Sequence, residues 1–300
     1  MFDVIIIGAG PAGLSASVYA KRAGLNALLI EESPINGGQV NSTYEVDNYL
    51  GLPGVSGMEL SEKFSEHATK AGIERREATV EKIEPDGDAF IVHTDNGNFD
   101  GKKIIIATGA KHALLGVPGE EELQGCGVSY CATCDGAFFK GRDVCVVGGS
   151  DVAVEDAIYL ARTCRNVYLI HRRDALRAAN SLVESLKAQP NVTILWDTVV
   201  EKINGEDQVE GVSLLNKRSG EKTELTLQGV FVAVGINPSS SLLDGLVDMD
   251  EKGYVLAGED CRTSRSGIYV AGDVRKKPLR QIITAVADGA NAVSSVTEDL

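Results

Sequence analysis

Basic charge is scarce in this sequence: 29 lysines and arginines stand against 43 aspartates and glutamates, a net charge of −14. That balance excludes a surface built to hold a nucleic-acid backbone, which needs clustered positive charge. An acidic surface instead keeps a chain soluble and sets which partners it repels. Long apolar runs are also missing. Val4 to Ile7 is strand length, far short of a membrane span, and no basic leader precedes it, so neither a signal peptide nor a membrane anchor is expected. Only one CxxC occurs, at Cys131 and Cys134, with no second CxxC or CxxH to complete a tetrahedral zinc site, and no metal is expected. The other cysteines are Cys126, Cys145, Cys164 and Cys261; without a leader, a chain this long is not a secreted disulfide framework, and the cytoplasm fits best. There is a single tryptophan, Trp196, read as core.

Glycine is abundant: 33 residues without a collagen period, which points to tight turns and close backbone approaches to ligands. At 300 residues the chain makes one large or two ordinary domains. "FDVIIIGAGPAGLSASVYAKRAGLNALLIEES" reads as strand, glycine turn, helix, strand. In Gly8-x-Gly10-x-x-Gly13 the first glycine allows the tight turn, the second lets a pyrophosphate approach, and the third lets helix and strand pack closely. Pro11 and Ala12 open the helix, whose free N–H groups would face the phosphates. Glu31 ends the next strand about 20 residues on, where an acid would hold a ribose hydroxyl.

A second start follows at "GRDVCVVGGSDVAVEDAIYLARTCRNVYLIHRRDALRA", with Gly148, Gly149, Ser150 and Asp151 in the turn and a helix expected over 153–162. Ser150 replaces the second glycine of the fingerprint and narrows access to phosphates. In place of a strand-end acid stand His171, Arg172, Arg173 and Arg177, a cluster suited to the 2′-phosphate of NADP. Each repeat has a later strand ending in glycine, "KKIIIATGA" with Ala107, Thr108 and Gly109, and "GVFVAVGINP". Two dinucleotide sites imply two cofactors exchanging a hydride, and a flavin is the natural partner of NADPH. The tail strand ends in Gly272 and Asp273, and a helix is expected from about Arg280, through Gln281 and Ile282, facing the flavin. "SYCATCDG" by itself is half a metal site, a structural disulfide or a working thiol pair; a reducing compartment favours the last.

Together "GAGPAG", "GGQVNSTYEVDNYLG" (37–51), "ATGA", "CATCDG", "HRRDALRA" and "AGDVRKKPLRQIITAVADG" resemble the low-molecular-weight thioredoxin reductases over essentially the whole chain. The resemblance implies an α/β fold of two Rossmann-like, three-layer ββα dinucleotide-binding domains. An FAD domain would be made from residues 1–112 and 240–300, with an NADPH domain at 113–239 inserted and carrying the CxxC. It adds Gly38, Gln39 and Asn48 to the FAD residues. It makes Cys131–Cys134 a redox disulfide, with Cys134 against the flavin, Cys131 attacking the substrate disulfide and Asp135 protonating the leaving thiolate. It implies thioredoxin as substrate, a homodimer, and a swing of the NADPH domain between two arrangements. This chain departs from the family pattern at Cys126, where an arginine is common, at Ala137 ahead of Phe138 and Phe139, and at Ser150. A reductase of the same scaffold with ferredoxin as donor, or with another disulfide substrate, is the nearest alternative. A flavin-binding regulatory protein without turnover is the third reading.

Overall fold

The computed structural model describes every residue except 44, 45 and 47; Tyr44, Glu45 and Asp47 of the "GGQVNSTYEVDNYLG" stretch lie outside the described residues. Two compact units emerge, Met1–Lys111 with Asn237–Leu300, and His112–Ile236. Along the chain come β1 (Phe2–Ile7), α1 (Pro11–Arg22), β2 (Ala27–Glu31), α2 (Gly57–Lys70), β3 (Glu74–Glu77), β4 (Val80–Asp86), β5 (Ala89–Thr94), β6 (Gly97–Ile106) and β7 (Ala110–His112). The inserted stretch contributes β8 (Val128–Ser129), α3 (Ala132–Asp135), β9 (Asp143–Gly148), α4 (Asp151–Ala161), β10 (Asn166–Ile170), α5 (Asn180–Lys187) and β11 (Val192–Leu195). It continues through β12 (Thr198–Asn204), β13 (Gly211–Asn216), β14 (Lys222–Thr226) and β15 (Gly229–Ala233), before β16 (Ile236–Pro238), β17 (Ile268–Val270) and α6 (Ile282–Glu298) close the chain.

In the first unit the sheet order is β3-β2-β1-β6-β5-β4, with β17 also on β6. The long β6 pairs antiparallel with β5 through Gly97–Gly101 and parallel with β1 through Gly101–Ile106. The unbroken apolar run of β1 has a reason: its side chains alternate between two buried faces. Val4 and Ile6 join α1 and α6 on one side, while Ile5 and Ile7 join Ile83, Phe90 and Val92 of the β-meander on the other. The two helices touch backbone to backbone, since a Cβ at Gly289 would lie 2.2 Å from Ala12 O.

The second unit repeats the plan with a five-stranded parallel sheet, β11-β10-β9-β15-β8. Val144, Val146 and Leu169 face Ala157 and Leu160 of α4, and Cys145, Val147 and Ile170 face Val200, Ile203 and Val212 of the β12-β13-β14 layer. Each unit is therefore a three-layer ββα stack. Helix α4 begins at Asp151, two residues ahead of the sequence expectation, and α6 begins at Ile282, after Gln281 caps it.

Cys145 and Cys164 are buried, and so is Cys261, although it lies in a loop. The Cys261 thiol donates to Asp288 O at 3.4 Å, and burial pushes its pKa up to about 12. Trp196 joins none of the hydrophobic clusters; it is partly exposed, edge-on to His171 at 6.3 Å. Among the described residues no helix is long and apolar enough to cross a membrane.

One buried charge network organises the end of the first unit. Asp288 on α6 is 2% exposed and sits between Arg275 (3%) and Lys277 (8%). Its Oδ1 accepts from Arg275 at 2.8 Å, and its Oδ2 accepts from Lys277 at 2.9 Å and from the Gly272 N–H at 2.9 Å. Arg275 also donates to Gly258 O at 2.9 Å. Replacing Asp288 by Asn leaves two buried cations around a neutral amide, so the protein should lose roughly 3–5 kcal/mol of stability, read from urea denaturation.

Candidate active site

The first glycine turn separates what the fold needs from what a ligand needs. Gly8 has φ 103°, and a Cβ there would lie 2.5 Å from Ala107 O; one at Gly13 would lie 1.8 Å from Gly8 O. Those two positions are glycine for internal reasons. Gly10 differs: as N-cap of α1 it is extended at φ −72°, ψ −176°, and a Cβ would meet nothing nearer than Gly37 O at 4.0 Å. Its missing side chain leaves a cradle open over the N-terminus of α1, where Pro11 loses no hydrogen bond and Ala12 follows. Glu31 is fixed at the rim, accepting the Ala9 N–H at 2.5 Å and the Ser33 N–H at 3.0 Å. Gly38, with φ 59°, places its absent side chain 3.6 Å from the Gly10 Cα, and Gln39 donates to Ala110 O.

Beyond β6, Ala107 is buried and Thr108 donates to Ser239 O at 2.6 Å, while Gly109 O accepts the Ser239 N–H at 3.0 Å. After β17, Gly272 turns the chain at φ 82°. Among the described residues, Asp273 Oδ1 and Arg280 Nε are both buried without a hydrogen-bond partner. Burial raises the Asp273 pKa, and Lys277 and Arg280 pull it back. The Arg280 guanidinium lies 4.0 Å over the Tyr254 ring. Gln281 caps α6, its N–H donating to Thr284 Oγ1 at 3.1 Å and its side-chain oxygen accepting from Asn48 at 2.9 Å. An orphaned acceptor and an orphaned donor, near the carboxyl ends of parallel strands and beside an open glycine cradle, fit a dinucleotide carrying hydroxyls and phosphates.

In the second unit the equivalent turn is tighter. A Cβ at Gly148 would lie 2.5 Å from Ala233 O, and one at Gly149 would lie 2.1 Å from the His171 ring. Ser150 takes the place of Gly10 as N-cap of α4, with the same extended backbone (φ −91°, ψ 177°) and no side-chain capping bond. Serine is therefore unstrained there and keeps its hydroxyl available. Asp151 accepts the Ala179 N–H at 2.8 Å. His171 is buried, its ring nitrogens 2.8 Å from Gly148 O and 3.0 Å from Ala175 O, so it walls the turn. Arg172, Arg173 and Arg177 are exposed, and among the described residues none of them pairs with a carboxylate. The Arg177 N–H donates to Gly149 O at 2.8 Å, which ties that arginine's backbone to the glycine turn.

Cys131 and Cys134 form a disulfide with Cα atoms 5.3 Å apart. Cys131 lies just outside the single turn of α3, and the Cys134 and Asp135 N–H groups donate to its carbonyl at 3.2 and 3.1 Å. Asp135 Oδ2 accepts the Ser129 hydroxyl at 2.6 Å, and Oδ1 is buried with no hydrogen-bond partner among the described residues. Burial raises the Asp135 pKa, and the Ser129 bond opposes this. On the other flank Tyr130 donates to Glu120 at 3.1 Å. Glu120, 1% exposed, also accepts the Leu115 and Gly116 N–H groups at 2.9 and 2.7 Å, so this carboxylate is fully hydrogen-bonded. His112 stacks on Tyr130 at 5.0 Å, and burial holds its pKa down. Among the described residues no group of three or more His, Cys, Asp or Glu is placed to hold a metal ion.

The sequence matches the family described as Pyridine nucleotide-disulphide oxidoreductase over residues 2–289. The chain belongs to that family. It is 43% identical over 297 residues to a thioredoxin reductase of Bacillus subtilis (strain 168), covering 99% of this chain and 94% of that one. It is 40% identical over 301 residues to a thioredoxin reductase of Peptoclostridium acidaminophilum, covering 98% and 95%. The solved thioredoxin reductase from Streptococcus pyogenes MGAS5005 superposes with a TM-score of 0.95 at 45% identity, covering 99% of this chain and 97% of that one.

Sequence reasoning overlooked Ser129, Glu120, Lys277 and Asp288. Isolated polar residues in a sequence read as solvated surface, and only folding shows that these are buried. The one available signal was adjacency, since "VSYC" places Ser129 and Tyr130 directly before Cys131. The contrast within the first turn is testable. Gly10→Ala should leave the stability of the ligand-free protein within about 0.5 kcal/mol while weakening retention of bound dinucleotide at least tenfold. Gly13→Ala should cost about 1–3 kcal/mol or more by overpacking. Urea denaturation and release of the bound nucleotide on dilution distinguish the two.

Proposed function

We propose that the protein is an NADPH-dependent thioredoxin-disulfide reductase. The observation that carries this reading is a CxxC disulfide with an acid directly behind it, in the same unit as a glycine turn flanked by three unpaired arginines. The full-length likeness to proteins named thioredoxin reductase supports the choice of acceptor. In this reading the unit Met1–Lys111 with Asn237–Leu300 holds FAD, through the Gly8–Gly13 turn, Glu31, Gly38, Gln39, Asn48, Ala107 to Gly109, Gly272, Asp273 and Arg280 to Ile282. Gly148 to Asp151, His171, Arg172, Arg173 and Arg177 hold NADPH in the other unit. The 2′-phosphate meets the arginines, and Ser150 adds a donor to the pyrophosphate in place of the wider approach a glycine offers. When bound, the two groups supply a hydride route that ends as two electrons on the Cys131–Cys134 disulfide.

The chain's own residues then carry the exchange. The Cys131 thiolate attacks one sulfur of the acceptor disulfide, forming a mixed disulfide and expelling the other acceptor sulfur as a thiolate. Asp135, whose pKa is raised by burial, gives that thiolate a proton. Cys134 then attacks Cys131 in the mixed disulfide, giving its proton to the Asp135 carboxylate; the internal bond re-forms, that proton passes to the departing acceptor sulfur, and the acceptor leaves with two thiols. The reading extends to a homodimer in the cytoplasm, a compartment reducing enough to keep Cys126, Cys145, Cys164 and Cys261 as thiols.

Anaerobic mixing of the yellow holoenzyme with NADPH or NADH should bleach the flavin much faster with NADPH. Bleaching by neither would move the donor to another class, such as ferredoxin. In the Arg172→Gln/Arg173→Gln protein the preference for NADPH should fall roughly 100-fold, two charge-assisted bonds of about 1.5 kcal/mol each, with the NADH rate unchanged. Cys131→Ser should lower disulfide reduction on the order of a thousandfold or more while flavin stays bound; retained turnover would sink the reading.

A further inference from the structure

We propose that Ser129 is a positioning residue of the disulfide: it decides which carboxyl oxygen of Asp135 carries the proton delivered to the leaving thiolate. The inference rests on the reading above, in which Cys131–Cys134 is the working disulfide and Asp135 its acid.

Ser129 lies at the end of β8, 5% exposed. A hydroxyl has one proton to give and two lone pairs to receive with. One lone pair takes the Cys131 N–H at 3.1 Å, which fixes the side chain against the residue it serves. The proton has two acceptors in reach, Asp135 Oδ2 at 2.6 Å and Cys131 O at 3.4 Å; the short bond takes it. Asp135 Oδ2 is then committed as an acceptor. A proton on the carboxyl then falls to Oδ1, the oxygen that is buried and has no hydrogen-bond partner among the described residues. Such an orphan costs free energy unless it serves a transient partner, and a thiolate formed next to the disulfide is one. Ser129 therefore orients the acid toward the one group it must protonate.

The surroundings leave this bond in control. The neighbouring helix α4 carries Asp151, Glu155 and Asp156, and Glu120 lies behind Tyr130. The Asp156 carboxyl, pushed up to about 7, responds to burial and to Glu155. The Asp135 carboxyl responds to burial and to Ser129 alone. Losing the hydroxyl removes the one influence that lowers the Asp135 pKa, so the acid stays protonated to higher pH but is no longer aimed.

The test uses holoenzyme reduced with dithiothreitol, desalted anaerobically and mixed with a disulfide in single turnover. Two acceptors are compared, a dialkyl disulfide whose leaving thiolate needs a proton and an aromatic disulfide whose thiolate leaves unaided. With Ser129→Ala the dialkyl reaction should slow about tenfold, part of the 10²–10⁴ that a placed acid contributes. Its alkaline limb should move to higher pH, and the aromatic reaction should stay within about twofold. Ser129→Thr should restore the dialkyl rate. Combining Ser129→Ala with Asp135→Asn should be no slower than Asp135→Asn alone, because one residue acts through the other. Equal slowing of both acceptors, or additive effects in the double variant, would overturn the role in favour of plain structural support. A reduced wild type that reduces neither disulfide would overturn the reading beneath it, and this inference with it.

Discussion

A Cβ on Gly13 would stand 1.8 Å from the carbonyl of Gly8, and one on Gly8 would stand 2.5 Å from the carbonyl of Ala107. Helix α1 and strands β1 and β6 therefore meet at backbone distance, and everything in the first unit is arranged around that contact. It brings the N-terminus of α1 to the carboxyl end of the sheet, where Glu31, Thr108 and Gly272 also emerge. It also lets α6 close over the same helix through Gly289. The second unit repeats the device at Gly148 against Ala233, with the His171 ring packed where a Gly149 side chain would be.

Charge inside the protein is treated in two contrasting ways. Asp288 is satisfied by two cations and a backbone N–H, and Glu120 by two backbone N–H groups and a phenol, so each is fixed and structural. Asp135 and Asp273 each keep one buried oxygen without a hydrogen-bond partner among the described residues, and burial pushes both carboxyl pKa values up. An unsatisfied buried acid is costly, and it persists where a ligand or a reaction uses it. The distinction between the two kinds of acid separates scaffold from working site better than exposure does.

Much of the plan was legible in the order of residues, because some physical demands leave no choice of residue type. Apolar runs over Val4–Ile7 and Val144–Val147, each followed by a glycine turn, read as strands buried on both faces, and a glycine at Gly13 is demanded by the Gly8 carbonyl close by in the chain. The CxxC spacing, closed by the turn of α3, holds the two Cα atoms 5.3 Å apart, within disulfide reach. Local sequence therefore determined the two repeats, the glycine turns, the pair of cysteines and the arginines after β10. What only the tertiary structure decided is the state of single polar residues. Cys261 went inside, Trp196 stayed at the rim beside His171, Ser150 proved able to take the backbone of Gly10, and Ser129 came to hold Asp135. Those outcomes depend on partners far away in sequence or on side-chain rotamers, and a hydrogen bond of 2.6 Å is set by where both ends are packed, which no local pattern encodes.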